Sequence, residues 1–244
     1  MRRDAHDRAW VLHTRPWRET SLLLELFTPE SGRLGVIARG ARRPRRGGRA
    51  LEPFVAVSCS LSGRGELRTL GAHEVTRRTM LAGDALYAGF YLNELLVRLL
   101  QREDPHERLF REYEGALAVL AGLPRGADPI ALEPVLRRFE FALLDELGYG
   151  FPLTEDLDGA PVDPARRYTV LPDVGVRLQH PGVAEHEDEA ALHIDGSELL
   201  AIAEGRLASP AVLRAAKRLA RRALAPHLGD RPLVSRSLFG RARG

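Results

Sequence analysis

Between Trp10 and Ala72 five short runs read as strands, one of which, Phe54 to Leu61, alternates in and out. Trp10 to Arg15 (WVLHTR) and Ser21 to Thr28 (SLLLELFT) flank a turn at Pro16 and Trp17, and Gly32 to Arg39 is the third run. Phe54 to Leu61 (FVAVSCSL) is the fourth, and Glu66 to Ala72 (ELRTLGA) follows the turn Ser62-Gly63-Arg64-Gly65. A period of two marks strands with one buried face. Gly63-Arg64-Gly65 lacks the strand, turn and helix context of a phosphate-binding glycine loop, and so reads as a hairpin turn.

From Gly83 the period lengthens to between three and four. Leu86, Phe90, Leu95, Leu96, Leu99 and Leu100 stripe a helix ending near Arg102, and His106 to Gly122 and Pro129 to Leu147 supply two more. Asp104-Pro105, Leu123-Pro124-Arg125-Gly126, and Gly148 and Gly150 around Tyr149 mark their ends. From Phe151 to Asp195 five prolines separate short apolar pieces such as Tyr168 to Leu171 and Val174 to Leu178, which predicts a loop-rich insert with a small hairpin. Helices resume at Gly196 to Glu204, and again after Ser209, an N-cap followed by Pro210.

Five short strands in about 70 residues, joined by tight turns and one long polar loop, suit a small barrel; the OB-fold is the five-stranded one that binds single strands. The expected fold class is thus α+β. An OB-fold barrel occupies residues 1–80, and a helical domain occupies 81–244 with its irregular insert at about 151–195.

Charge adds what the pattern does not contain. Arg33, Arg39, Arg42, Arg43, Arg45, Arg46 and Arg49 fall on and after the third strand, and no acid lies between Ser31 and Leu51. Pro44, Gly47 and Gly48 break any helix there, so the loop is solvated and ready for a polyanion. Residues 1–80 carry 16 basic and 8 acidic residues, 81–205 carry 10 and 24, and 206–244 carry 10 and 1. Basic ends with an acidic middle suit nucleic acid bound by the ends. On the last long helix Arg214, Lys217, Arg218, Arg221 and Arg222 face away from the apolar stripe of Val212, Leu213, Ala216, Leu219, Ala220, Ala223 and Leu224.

The first set, with Arg64 and Arg68 on neighbouring turns and strands, is expected to grip phosphates, which guanidinium fits bidentately, and Arg214, Lys217, Arg218, Arg221 and Arg222 are further DNA-binding candidates unless that face is merely solvated. Trp10, Trp17, Phe27 and Phe54 are available for base stacking, although alternate positions of a small barrel must be filled. The single cysteine, Cys59, sits in a strand-like run and reads as a buried, inert thiol. The eight histidines show no metal-ligand spacing, so no metal or cofactor is expected. With neither a signal-peptide core nor an 18-residue apolar run, the expected location is the cytoplasm.

The strings VLHTRPWRETSLLLELFTPESGRLGVIARGARRPR, FVAVSCSLSGRGELRTLGAHEV, YLNELLVRLL, LRRFEFALLDELGYG, LRAAKRLARRAL and LVSRSLF, in this order, resemble the bacterial RecO family of recombination mediators. The resemblance spans nearly the whole chain and is weakest at 151–195. It implies a non-enzymatic, nucleoid-associated protein that binds single- and double-stranded DNA and anneals complementary strands. With RecR it would help RecA load on DNA covered by the single-stranded-DNA-binding protein (SSB). Many members carry four zinc-binding cysteines after LGYG, and this chain carries none there, so the resemblance is to the branch without zinc and the insert is held by apolar packing.

The resemblance also suggests that Arg137 and Arg138, beside Phe139, receive the acidic C-terminal tail of SSB. The alternative is that these arginines pair with Glu133 or Glu140 along their own helix. A competing class is a metal-dependent nuclease built on Asp156, Asp158 and Asp163, but these acids read as turn residues among prolines and lie far from the basic loop. The other alternative is a generic OB-fold protein that binds RNA or single-stranded DNA without annealing it.

Overall fold

The computed structural model describes residues 7–42, 50–63, 65–150, 152–171, 174–179 and 191–241. The alternating runs become β1 (Asp7–Trp17), β2 (Ser21–Thr28), β3 (Gly32–Ala38), β4 (Val55–Ser62) and β5 (Leu67–Arg78). They close into a barrel of order β1-β2-β3-β5-β4. Only β3 and β5 pair in parallel, over Gly35–Ile37 and Leu67–Thr69. The five-stranded OB-type barrel expected from the sequence is therefore present, with β5 ending six residues later than the pattern suggested, at Arg78.

Alternation decides which side chains fill the barrel. Leu24 and Leu26 of β2 and Leu34, Val36 and Ala38 of β3 point inward with Val11, Val55, Val57 and Cys59. By register the opposite face of β2 and β3 carries Leu23, Glu25, Phe27, Arg33, Gly35 and Ile37. The pairing of β1 with β2 shifts between Val11 and His13. At this bulge the Leu12 carbonyl accepts a hydrogen bond from Asn93 Nδ2 at 2.7 Å, and the buried Tyr113 hydroxyl donates to Asn93 Oδ1 at 2.6 Å. Burial pushes the Tyr113 hydroxyl far above its usual titration range.

Two helices complete this part of the chain, α1 (Gly83–Leu99) and α2 (Glu107–Gly122). Phe27 packs on Phe110 with ring centres 5.4 Å apart, Trp10 meets Tyr113 edge-on at 6.0 Å, and Phe54 meets Phe90 at 5.1 Å. Trp10, Phe27 and Phe54 are thus buried core residues. One compact unit consists of the barrel, α1, α2 and the chain from Pro232 onward; the other is Asp128–Arg231. The boundary expected near residue 80 falls between the end of β5 and the start of α1, whereas packing divides the chain after Ala127 because α1 and α2 clothe the barrel.

The basic tail forms a helix that packs on α1. The Glu94 carboxylate accepts from the backbone N–H of Val234 and Ser235 at 2.9 and 2.8 Å and from Ser235 Oγ at 2.6 Å, so it caps the helix Val234–Arg241. Leu238 is half-buried there, as a docked tail requires, while the Phe239 side chain lies outside the described residues.

The second unit contains a 3-10 turn (Pro129–Leu132), α3 (Glu133–Glu146), β6 (Arg167–Leu171), β7 (Gly175–Leu178), β8 (Leu192–Asp195), α4 (Gly196–Ala203) and α5 (Pro210–Leu228). The helix of the tail is accordingly α6. Strand order is β7-β6-β8, so the predicted hairpin is present with a third strand added. Tyr168, Val170, Val176 and Ile194 of this sheet share a core with Leu199, Ile202, Val212, Ala216 and Leu219. Apolar packing therefore holds the insert. Ser209 caps α5 through Oγ, which accepts from the Ala211 N–H at 3.2 Å.

Candidate nucleic-acid interface

In the antiparallel barrel the β1–β2 turn and the start of the β3–β4 loop lie at the same end, because Leu22 pairs with Ala38. The Arg42 N–H donates to the Thr20 carbonyl at 2.9 Å, and its guanidinium reaches the carbonyls of Arg18 and Glu19, both at 3.4 Å. This clamps the loop's first residues against the turn. Arg15, Arg18, Arg39 and Arg42 are all exposed at this end, and Arg18 adopts a left-handed φ of 52°. Glu19 is the one acid in the turn. Among the described residues no ion pair joins any of these four arginines to a carboxylate.

At the far end of the loop Leu51 is buried in the barrel, and Arg78 donates to the Ala50 carbonyl at 3.2 Å while pairing with Glu52. Arg43, Arg45, Arg46 and Arg49, and Arg64 in the β4–β5 turn, lie outside the described residues. Arg15 and Arg18 were not among the phosphate-binding candidates read from sequence. Their signal was present in the string RPWR, where both flank the turn, but only the fold brings that turn beside the loop.

Two expected members of the set are placed elsewhere. Arg33 lies at the opposite end of β3 with its side chain only 15% exposed; it pairs with Glu25 at 2.9 Å and donates to the Leu100 carbonyl at 3.1 Å. Arg102 shares the same Glu25 carboxylate at 2.5 Å and lies across Gly35, where a Cβ would come within 2.8 Å of its Nη1. Arg68 pairs with Glu103 at 2.8 Å. Positive charge at this end is therefore matched by Glu25 and Glu103.

On α5 the structure exposes Arg214, Arg218 and Arg221, while Lys217 and Arg222 are half-buried. The apolar residues named from the pattern all face the core. Lys217 is bound to Glu133 of α3.

For Arg137 the pairing along its own helix is the arrangement seen. Its guanidinium is 4% exposed and donates to the fully buried Glu140 at 2.7 Å, with Glu133 at 3.8 Å. Phe139 is buried too, and of the three residues expected at a peptide groove only Arg138 is exposed.

Cys59 is buried, and desolvation, reinforced by Asp7, pushes its thiol up to about 11. Asp156 accepts the N–H groups of Asp158 and Ala160 at 3.0 and 2.8 Å, and Asp163 accepts that of Ala165 at 2.8 Å. These acids close turns, as read from the sequence. Among the described residues no three His, Cys, Asp or Glu side chains cluster as metal ligands, and no helix is long and apolar enough to cross a membrane.

The family model "Recombination protein O N terminal" matches residues 1–78, and "Recombination protein O C terminal" matches residues 80–237. The chain is 47% identical over 238 residues to the DNA repair protein RecO of Stutzerimonas stutzeri, covering 96% of this chain and 93% of that protein. It is 46% identical over 235 residues to the RecO protein of Pseudomonas aeruginosa strain LESB58, covering 94% and 92%. With that of Pseudomonas entomophila it shares 46% over 244 residues, covering 98% and 99%. Matches that run through both the barrel and the helical part at this identity place the chain in the RecO family.

Proposed function

We propose that the chain is a DNA-binding mediator of recombinational repair. It binds single- and double-stranded DNA, anneals complementary strands, and with RecR helps RecA load on single strands covered by SSB. The observation that carries this reading is the end of the OB-type barrel where Arg15, Arg18, Arg39 and Arg42 are exposed, with no carboxylate partner among the described residues. The same loop continues into Arg43, Arg45, Arg46 and Arg49. Guanidinium groups that contact phosphates read no base edges, so binding is blind to sequence.

Annealing follows from the same physics. A cationic surface that holds two strands lowers their mutual repulsion and raises their effective concentration, and base pairing supplies the driving force. No nucleotide is hydrolysed in this scheme. Arg138, exposed on α3, is proposed to meet the acidic SSB tail. The site of action is the nucleoid in the cytoplasm.

The test is anisotropy of labelled single-stranded and duplex oligonucleotides across a salt series. Each phosphate neutralised adds about 0.7 to the slope of log affinity against log salt for a single strand, so four contacts give about 3 and the loop arginines steepen it. A slope near zero overturns the reading.

A further inference from the structure

We infer that Trp17 is a base-stacking platform for single-stranded DNA, set among the arginines of the barrel rim; this deepens the DNA-binding reading above and rests on it. Of the four aromatic residues on or beside the barrel strands that the sequence offers for stacking, three are consumed by packing: Trp10 is 0%, Phe27 0% and Phe54 4% exposed. Trp17 is not among the buried residues.

Its position follows from the strand register. Trp17 is opposite Ser21, and Arg15 is opposite Leu23, which is opposite Ile37 on β3. Residues directly opposite one another share a face. Since Leu22, Leu24 and Leu26 point into the barrel with Leu34, Val36 and Ala38, the residues Arg15, Trp17, Ser21, Leu23 and Ile37 belong to the outer face of the sheet.

The two ends of that face differ. At one, Phe27 is covered by Phe110 and Tyr113 of α2, and Arg33 is tied to Glu25. At the other, Trp17 stands at the strand end with Arg15 one position pair away, Arg18 next in sequence, and Arg39 and Arg42 on the segment hydrogen-bonded to the turn. Ser21 and Leu23 beside it are buried, and Trp17 is the half-buried residue at the edge of that face.

An amphipathic indole left half-buried in a cationic rim fits a ligand with a π-face and negative charge in alternation. A single strand offers this, with bases free to stack and phosphates on either side. Duplex DNA keeps its bases stacked inside and presents phosphates alone, so it meets the arginines without using Trp17. The rim thereby favours single strands over duplex, which a purely electrostatic surface does not.

The chain has two tryptophans, and the other, Trp10, is fully buried, so intrinsic fluorescence tests the inference directly. The full chain is titrated with oligothymidylate of about 20 nucleotides, longer than one OB-fold site, while anisotropy of a labelled copy records binding. The expected result is quenching that tracks binding and is absent in Trp17→Phe, which still binds. Trp17→Ala is expected to bind the single strand about 5- to 150-fold more weakly, the effect of losing one base–aromatic stack. Its duplex affinity stays within about twofold of the parent.

Binding by the intact chain without quenching overturns the inference. So does a folded Trp17→Ala that binds single strands as well as the parent, or an equal loss on duplex. Failure of the intact chain to bind any oligonucleotide overturns the DNA-binding reading itself, and the inference with it. The Trp17→Phe quenching result decides the matter even where Trp17→Ala does not fold.

Discussion

Replacing Arg137 with methionine separates a structural role from a recognition role. In α3 the guanidinium is 4% exposed, its partner Glu140 is fully buried, and the contact is 2.7 Å. Methionine keeps the volume of the side chain's stem but removes the cation, so Glu140 is left buried in a low-dielectric site without this partner. Removing one member of such a buried pair costs about 3–5 kcal/mol. The neighbouring pair sets the scale: Lys217 and Glu133 are 35% and 21% exposed, and a partly screened pair of that kind contributes about 1 kcal/mol or less.

Hydrogen exchange of the α3 amides reads this unit directly, because protected amides report the free energy of local opening. Arg137→Met should lower that free energy several times more than Lys217→Met does. Combining Arg137→Met with Glu140→Gln should cost clearly less than the two single changes together, with a coupling of about 2 kcal/mol or more, where independent sites differ from additivity by under about 0.5. If Arg137→Met changes protection by less than about 1 kcal/mol, or if the double variant is simply additive, the buried pair does not do what its geometry implies.

Three further outcomes are expected. Cys59 titrates at about 11 in the folded chain against 9.0 for the free thiol, so the folded state holds the proton more tightly and stability falls as pH rises from 9 to 11. Urea titrations should show a steeper alkaline loss for the native chain than for Cys59→Ala, and equal losses would refute it. Gly32 has a φ of +64°, and a Cβ there would lie 1.8 Å from the Asp104 carbonyl oxygen. Gly32→Ala should therefore cost more than the roughly 1–3 kcal/mol of left-handed strain alone, measured by urea unfolding. Alanine at Arg39 and Arg42 together should lower the single-strand salt slope by about 1.4 while leaving the melting temperature in place, since both side chains are exposed. An unchanged slope would remove these two residues from the interface.

The strands and helices were legible wherever one face is buried, because burial imposes the period. β2 and β3 are short apolar runs buried along most of their length, and α5 carries a stripe of apolar residues opposite its basic ones. The second half of β5 was not legible: from Gly71 to Arg77 nearly every residue is exposed, so no apolar alternation marks it. β8 is only four residues long and lies beyond a proline-rich stretch. Charge was the least legible property. A sequence shows that Arg33, Arg68, Arg137 and Lys217 are cationic, but not that Glu25, Glu103, Glu140 and Glu133 meet them; the last pair is 84 residues apart. The rim arginines Arg15 and Arg18 escaped notice for the complementary reason, since their neighbours Arg39 and Arg42 are close only through strand pairing.

The most direct test of a DNA-annealing mediator uses two complementary oligonucleotides, one fluorescently labelled, each precoated with the cognate SSB. The intact chain is compared with a variant carrying alanine at Arg39, Arg42, Arg43, Arg45 and Arg46. The account predicts that the intact chain accelerates annealing without nucleotide or metal and that the variant does not. Failure of the intact chain to accelerate annealing would contradict it and leave a general nucleic-acid binder in its place.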